Sequence, residues 1–423
     1  MYANALFDFI ESSPAAPVAL QTVTKRLEKA GYKRASEAEV ATLAEGKYYF
    51  VRGGASLIAI TLPSAPKRAV IAAAHLDSPA LRVKEGASRV GAYASVPVER
   101  YGSPILYSWF DRPLSVAGRV MLSAEGGVEE RTVNVDRALA YIPNPGLQAP
   151  NNAATGATFN MAKDMLPLLS VGGTERDLLS AVAASLGVDA DRIVSHDLFF
   201  YVRERGTAVG KEGEMLLCPR LDDLACAFAA TEAFLTAKPC DTLQVLALFD
   251  HEEIGSATER GADSAFLSDI LSPFMRAGGA SFFESSLLVS ADNAHAVHPN
   301  HPELSDKADT PIMGSGIAIK WSASHSYATD ARSAAVFRAV CEKASVPVQV
   351  YQNRADIRGG STLGTIADTH LGILAVDIGI PQLAMHAAVE SCARADVTAM
   401  VNALRASLEA RIVRTDSGYA IDR

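Results

Sequence analysis

Seven side chains in this 423-residue sequence are of the kinds that bind divalent metals or move protons, and they stand at or near the ends of apolar runs: His75, Asp77, Asp222, Glu252, Glu253, Asp292 and His386. Zinc accepts His nitrogen and Asp or Glu oxygen, and a catalytic zinc site keeps one position open for water. Two imidazoles with three carboxylates suffice for two zinc-type ions if one carboxylate bridges. In His75-Leu76-Asp77 the nearby carboxylate is expected to take the second ring N–H of a ligating His, fixing its tautomer and orientation. Adjacent Glu252 and Glu253 at a strand end point in different directions, so one binds metal while the other stands over the bound water as general base.

Taken singly, each residue has an ordinary explanation. A lone His at a strand end commonly makes a structural hydrogen bond, and an Asp there commonly caps a turn or helix. Arg220-Leu-Asp-Asp-Leu224 ahead of a helix reads by itself as an N-cap, and Glu252-Glu253 as a solvated acidic pair. Asp250-His-Glu-Glu253 lacks the second His of the HExxH helical zinc motif, and His251 has no evident role. Joint occurrence at the ends of several apolar strands carries the metal reading.

The elements that must position these groups follow from periodicity. Arg68 to Ala74 is a continuous apolar run ending in His75; Leu243 to Phe249 leads into Asp250-Glu253, Ser286 to Ser290 into Asp292, and Gly372 to Ile378 towards His386. Such runs suit strands buried on both faces. Helical spacing over Asn4–Ile10, Pro17–Ala30, Leu224–Leu235, Ala331–Ala344 behind a capping Asp330, and Val397–Ile412 completes an α/β alternation, in which ligands gather at strand C-terminal ends. Lys47–Val51 and Ser56–Leu62 read as two strands across a glycine turn. Residues from about Lys84 to Met215 instead show short strand-like pieces (Leu114–Leu122, Arg131–Val135, Leu198–Val202) and one helical piece near Glu175–Leu186. This stretch is expected to be an inserted β-rich domain (84–215) that splits the α/β domain into 1–83 and 216–423.

The formal charge of −9, with no run of Lys and Arg, offers no footprint for a polyanion, so nucleic acid is not expected as a partner. Cys218, Cys226, Cys240, Cys341 and Cys392 are odd in number and lack CxxC spacing, which predicts reduced thiols and a cytoplasmic address. The first residues carry acidic groups and no basic n-region, and no apolar run approaches the roughly 20 residues of a membrane span, so neither export nor a membrane is expected.

Ala74-His-Leu-Asp-Ser-Pro-Ala-Leu-Arg-Val-Lys84, Trp109-Phe-Asp-Arg-Pro-Leu-Ser-Val-Ala-Gly-Arg119, Arg220-Leu-Asp-Asp-Leu224, Asp250-His-Glu-Glu-Ile-Gly-Ser256, Val289-Ser-Ala-Asp-Asn-Ala-His-Ala-Val-His-Pro-Asn300 and Ala384-Met-His386, in this order, closely resemble the aspartyl aminopeptidase family of metallopeptidases along essentially the whole chain. The resemblance implies an α/β, phosphorylase/hydrolase-like catalytic domain, a mixed sheet flanked by helices, interrupted by a β-rich dimerisation domain. It further implies dimers assembled into a tetrahedral homododecamer, and two Zn2+ per subunit with Co2+ or Mn2+ as substitutes. By the same resemblance His75 binds one metal, Asp222 bridges, Glu253 and Asp292 complete the sites, His386 binds the second metal, and Glu252 is the base. Lys320 and Tyr327 map onto the substrate pocket, where an ammonium suits an acidic side chain. Gly359-Gly-Ser-Thr-Leu-Gly364 matches a glycine loop near that pocket, and His298 supports the metal-site loop or an oligomer contact.

Two departures stand out. Where many members have Ile-Pro-Asn-Leu-Ala-Ile-His, with the His reaching a neighbouring subunit's site, this chain has Gln148; and Asp223 stands where Asn is common beside the bridging Asp. The expected reaction is removal of an N-terminal residue, preferably Asp or Glu, from peptides with a free N-terminus. The net charge does not attract such substrates, so the preference must come from local groups such as Lys320. The alternatives are an aminopeptidase for neutral, Leu-like N-termini, a related hydrolase of other amides, and a non-catalytic oligomeric scaffold of the same fold.

Overall fold

The computed structural model describes residues 2–86, 89–146, 159–174, 176–357 and 359–422. Gln148 lies outside the described residues. A nine-stranded mixed sheet is built from β1 (Lys33–Arg34), β2 (Gly46–Arg52), β3 (Ser56–Leu62), β4 (Arg68–His75), β5 (Thr242–Phe249), β6 (Leu287–Ala291), β7 (Ile317–Trp321), β8 (Val348–Gln352) and β9 (Leu374–Gly379), in the spatial order β1-β2-β3-β5-β4-β6-β9-β7-β8. Its centre, β5-β4-β6-β9, is parallel. These four strands are buried at every position, as continuous apolar runs require when both faces are covered.

The alternation of side chains divides the core in two. Leu57, Ala59, Val70, Ala72 and Ala74 face helices α1 (Ala3–Glu11), α2 (Ala16–Lys29), α4 (Leu221–Thr236) and α8 (Arg394–Glu409), through residues such as Leu6, Leu20, Phe228 and Met400. Ile58, Ile60, Ile71 and Ala73 face α5 (Phe266–Glu284) and α7 (Leu363–Leu371) on the other side, through Phe266, Ile270 and Leu363. Helix α6 (Ala331–Lys343) begins at a capping box in which the Asp330 carboxylate accepts the Ser333 N–H and the Ser333 hydroxyl accepts the Asp330 N–H.

Gly127–Asn134, Leu114–Ala124, Ile193–Val202, Ala80–Val83 and Val98–Tyr101 form a second, antiparallel five-stranded sheet in that spatial order. Val116, Val120, Leu198 and Phe200 pack there with Trp109, Ile142 and helix α3 (Asp177–Leu186) in a hydrophobic cluster of their own. A third sheet, in the order 207–209, 215–218, 390–393, 381–383, 294–295, ties the chain on either side of the central strands together.

Several elements differ from expectation. Helix α5 carries Pro273 and a kink at Gly279 (φ 64°), which hide its period, and α7 begins at Leu363, inside the Gly359–Gly364 segment. The last helix stops at Glu409, and residues to Asp422 form a hairpin in which Arg411–Thr415 and Gly418–Asp422 pair antiparallel. All five cysteines are free, with Cys218, Cys226, Cys341 and Cys392 buried. No described helix is long and apolar enough to cross a membrane.

Candidate metal centre

Parallel registry brings the chemistry to one edge. Phe249 lies opposite His75 on neighbouring parallel strands, so the turn beginning at Asp250 emerges beside His75. On the other flank of β4, β6 ends at Ala291 and delivers Asp292. Asp222 sits in the first turn of α4 with extended backbone (φ −84°, ψ 110°), so it is part of a kinked helix start and not a simple cap. His386 does not end β9; it lies past the further short strand Pro381–Leu383, in a left-handed conformation (φ 68°).

The side chains converge on Asp222. Its Oδ1 lies 3.5 Å from His75 Nε2 and its Oδ2 lies 3.5 Å from His386 Nε2. Asp292 Oδ1 is 3.9 Å from His75 Nε2, and Glu253 Oε1 is 3.5 Å from His386 Nε2. Donor atoms of His75, Asp222 and Asp292 form one compact group and those of Asp222, Glu253 and His386 another, with Asp222 common to both; Glu252 joins His75 and Glu253 in a third. Asp222 Oδ1 is buried with no hydrogen-bond partner among the described residues. A buried anionic oxygen left without a donor, between nitrogen and oxygen donors of the zinc-binding kind, fits a cation.

Behind these groups, His75 Nδ1 lies 3.0 Å from the Asp77 carbonyl oxygen and 3.3 Å from its Oδ1. Asp77 thus orients the ring chiefly through its backbone, while its carboxylate accepts the N–H groups of Glu252 (3.2 Å) and Glu253 (3.1 Å) and the Tyr101 hydroxyl (2.7 Å). Tyr101 comes from the second sheet, and nothing in its sequence neighbourhood marks it. Glu390, also unforeseen, accepts the N–H groups of Asp222 and His386. His251 bridges Thr258 and Arg260.

Crowding of buried carboxylates sets the electrostatics. Burial, against the opposing His75 and with Asp292, Asp77 and Asp222 adding to it, pushes Glu252 up to about 8, and burial drives Glu253 well above the usual carboxylate range. Burial works against charge on Asp222, but the imidazoles of His386 and His75 outweigh it and hold the carboxyl far below its ordinary value. The same pairing, against the opposing effect of burial, raises His386 to about 10. Carboxyls and imidazoles crowded in this way hold protons whose place a divalent cation would take.

A cleft of about 580 Å³ opens on the cage. Lys320, Tyr327 and His298 all line it, with Tyr351, Asn353 and Arg354. Lys320 is buried, its Nζ 3.3 Å from Asp292 Oδ2 and 5.4 Å from the centre of the Tyr327 ring. Its positive charge is held by Asp292 despite the opposing effect of burial.

Residues 9–407 match the model of the aminopeptidase I zinc metalloprotease (M18) family. The chain belongs to this M18 family. A probable M18 family aminopeptidase 2 of Clostridium novyi is 40% identical over 409 residues, covering 92% of this chain and 94% of the relative. The counterpart in Pseudomonas fluorescens is 37% identical over 416 residues, covering 95% and 97%. Among solved structures, a chain of the Ape4 and Nbr1 complex superposes with a TM-score of 0.90 at 31% identity, over 96% of this chain and 85% of that one. The mApe1 dodecamer of S. cerevisiae gives 0.82 at 25% identity, over 96% and 95%. This M18 chain is therefore a metallo-aminopeptidase, a hydrolase acting on peptides, with the mixed α/β fold of its family.

Proposed function

We propose that the chain is a dinuclear zinc aminopeptidase that releases N-terminal residues, preferably Asp or Glu, from peptides. The observation that carries the two-ion reading is Asp222, whose two carboxylate oxygens each face a different imidazole. His75, Asp222 and Asp292 would hold one ion; Asp222, Glu253 and His386 the other. Bound there, zinc polarises a scissile carbonyl and lowers the pKa of an attacking water, and cobalt or manganese can take its place.

Each remaining role falls to a side chain. Glu252, held over the cage by the bond from its N–H to Asp77, takes the proton of the attacking water and returns it to the leaving amine. Asp77 keeps the His75 ring oriented. The carboxylates around the cage receive a free α-ammonium group, which restricts cleavage to the first residue. The acidic preference rests on Lys320 and Arg354, the cationic Lys and Arg side chains of the described cleft. The ion pair of Lys320 with Asp292 favours a second reading, release of neutral residues, in which the ammonium serves the cage and not the substrate.

In this reading, residues 84–215, which contribute most of the second sheet, form a dimerisation domain inserted between 1–83 and 216–423. Dimers assemble into a homododecamer, as in the mApe1 relative, in the cytoplasm. The deciding test is hydrolysis of Asp-, Glu-, Leu-, Lys- and N-acetyl-Asp arylamides before and after chelation and zinc replacement. Metal-dependent release from free Asp and Glu alone is expected. A preference for Leu moves the specificity to the neutral reading, and no cleavage of any substrate by zinc-loaded protein refutes both.

A further inference from the structure

Carboxylates that lie outside the expected ligand set hold the backbone of the residues inside it. Asp77 accepts the N–H groups of Glu252 and Glu253, and Asp223 Oδ2 accepts that of His75 at 3.2 Å. Glu390 serves Asp222 and His386: its Oε2 takes the Asp222 N–H at 2.9 Å and its Oε1 the His386 N–H at 2.6 Å. Glu390 is buried and its carboxylate is directed at backbone amides, so it acts on the cage through the main chain.

Those amides belong to backbone that needs external support. His386 is left-handed at φ 68°, a conformation unfavourable for a non-glycine residue unless its surroundings enforce it. Asp222 interrupts helical geometry at the start of α4. Glu390 is anchored for this task, since its strand pairs with Met215–Cys218 and places Cys218 directly opposite it, on the segment that leads into Asp222. One carboxylate thereby joins two sequence regions at a fixed separation, and both carry donors of the same expected metal site.

We propose that Glu390 is a positioning residue that sets the affinity of the metal site built on Asp222, Glu253 and His386. This rests on the two-ion reading above. In a Glu390→Gln variant the amide keeps one acceptor oxygen but turns its NH2 towards the other backbone N–H, so one of the two anchors is lost. The matched comparison is Asp396→Asn. Asp396 is also buried and also takes two backbone N–H groups, from Gly314 (2.6 Å) and Gly316 (2.9 Å), with no tie to the donor residues.

The test is zinc titration of full-length wild type, Glu390→Gln and Asp396→Asn against a chromophoric chelator, with metal counted by mass spectrometry and metal-free melting followed by circular dichroism. Wild type is expected to bind two ions. Glu390→Gln is expected to keep one and to bind the second about 10–100-fold more weakly, with activity restored by excess zinc. Asp396→Asn is expected to match wild type in both affinities, and the metal-free melting of the two variants to be similar. Two ions at wild-type affinity in Glu390→Gln overturn the proposal, as does equal weakening of both sites. If wild type binds a single ion, the two-ion reading falls separately; Glu390 is then judged on that one affinity, which must weaken in the variant for its role to stand.

Discussion

Glu252 and Lys320 show what neighbouring charge does to a single side chain. Glu252 is half-buried among acids and lies against His75 and Glu253, so it is placed to move a proton at the cage. Replacing it with Gln is expected to lower kcat by about 10²–10⁴-fold while metal content and melting stay close to wild type. Steady-state kinetics beside metal analysis checks this, and an active Glu252→Gln enzyme removes it from the role of base. Lys320 has two candidate tasks, because its ammonium sits by Asp292 and also lines the cleft. Lys320→Leu is expected to cut kcat/KM for Asp and Glu substrates at least ten-fold and spare Leu substrates, about the 1.4 kcal/mol that one tenfold factor represents. Equal losses on all substrates assign the residue to holding Asp292.

At the scale of elements, stability is concentrated where caps and close approaches leave no slack. Asp330 opens α6 with a reciprocal pair of hydrogen bonds, and Asp330→Ala is expected to cost about 1 kcal/mol in denaturant unfolding. Burial raises the Asp330 pKa, but the Ser333 N–H and Arg332 more than offset this and hold it below its usual value. Its contribution is therefore present above an unfolded pKa of roughly 3.9 and is lost as the pH falls through the lower folded value, so wild type and variant should converge in acid. Gly118, in the second sheet at φ 146°, packs where an added Cβ would lie 2.0 Å from the Asp197 carbonyl oxygen. Gly118→Ala is expected to destabilise by about 2–3 kcal/mol, because backbone on the neighbouring strand cannot step aside as a flexible side chain does.

For the whole molecule, the parallel centre of the large sheet makes the site, since only parallel neighbours present their C-terminal ends, and the loops that follow, at one edge. The cage joins segments from both ends of the chain, so folding and metal binding are coupled. Chelation is expected to abolish hydrolysis and lower the melting temperature, and zinc to restore both; activity that survives exhaustive chelation contradicts the metal mechanism. Assembly is tested by light scattering, where a dodecamer has twelve times the mass of the 44.7 kDa chain. A monomer at working concentration rejects that assembly.

The central strands are legible in the residues alone, because continuous apolar runs such as Arg68–Ala74 and Leu243–Phe249 have few other stable uses, and the acids and imidazoles that follow them are marked by the same pattern. The sequence also set the capped start of α6, where the chemistry is local. It could not show α5, whose period is broken by Pro273 and Gly279, nor the strand Ile317–Trp321 that buries a lysine. Nor could it show Tyr101, whose hydroxyl reaches the Asp77 carboxylate from another sheet, or Glu390, whose partners are backbone N–H groups that look alike in every residue. That Asp222 turns one oxygen to His75 and the other to His386 emerges with the folded chain, because the geometry depends on strand register and on a helix start held by a residue 168 positions away.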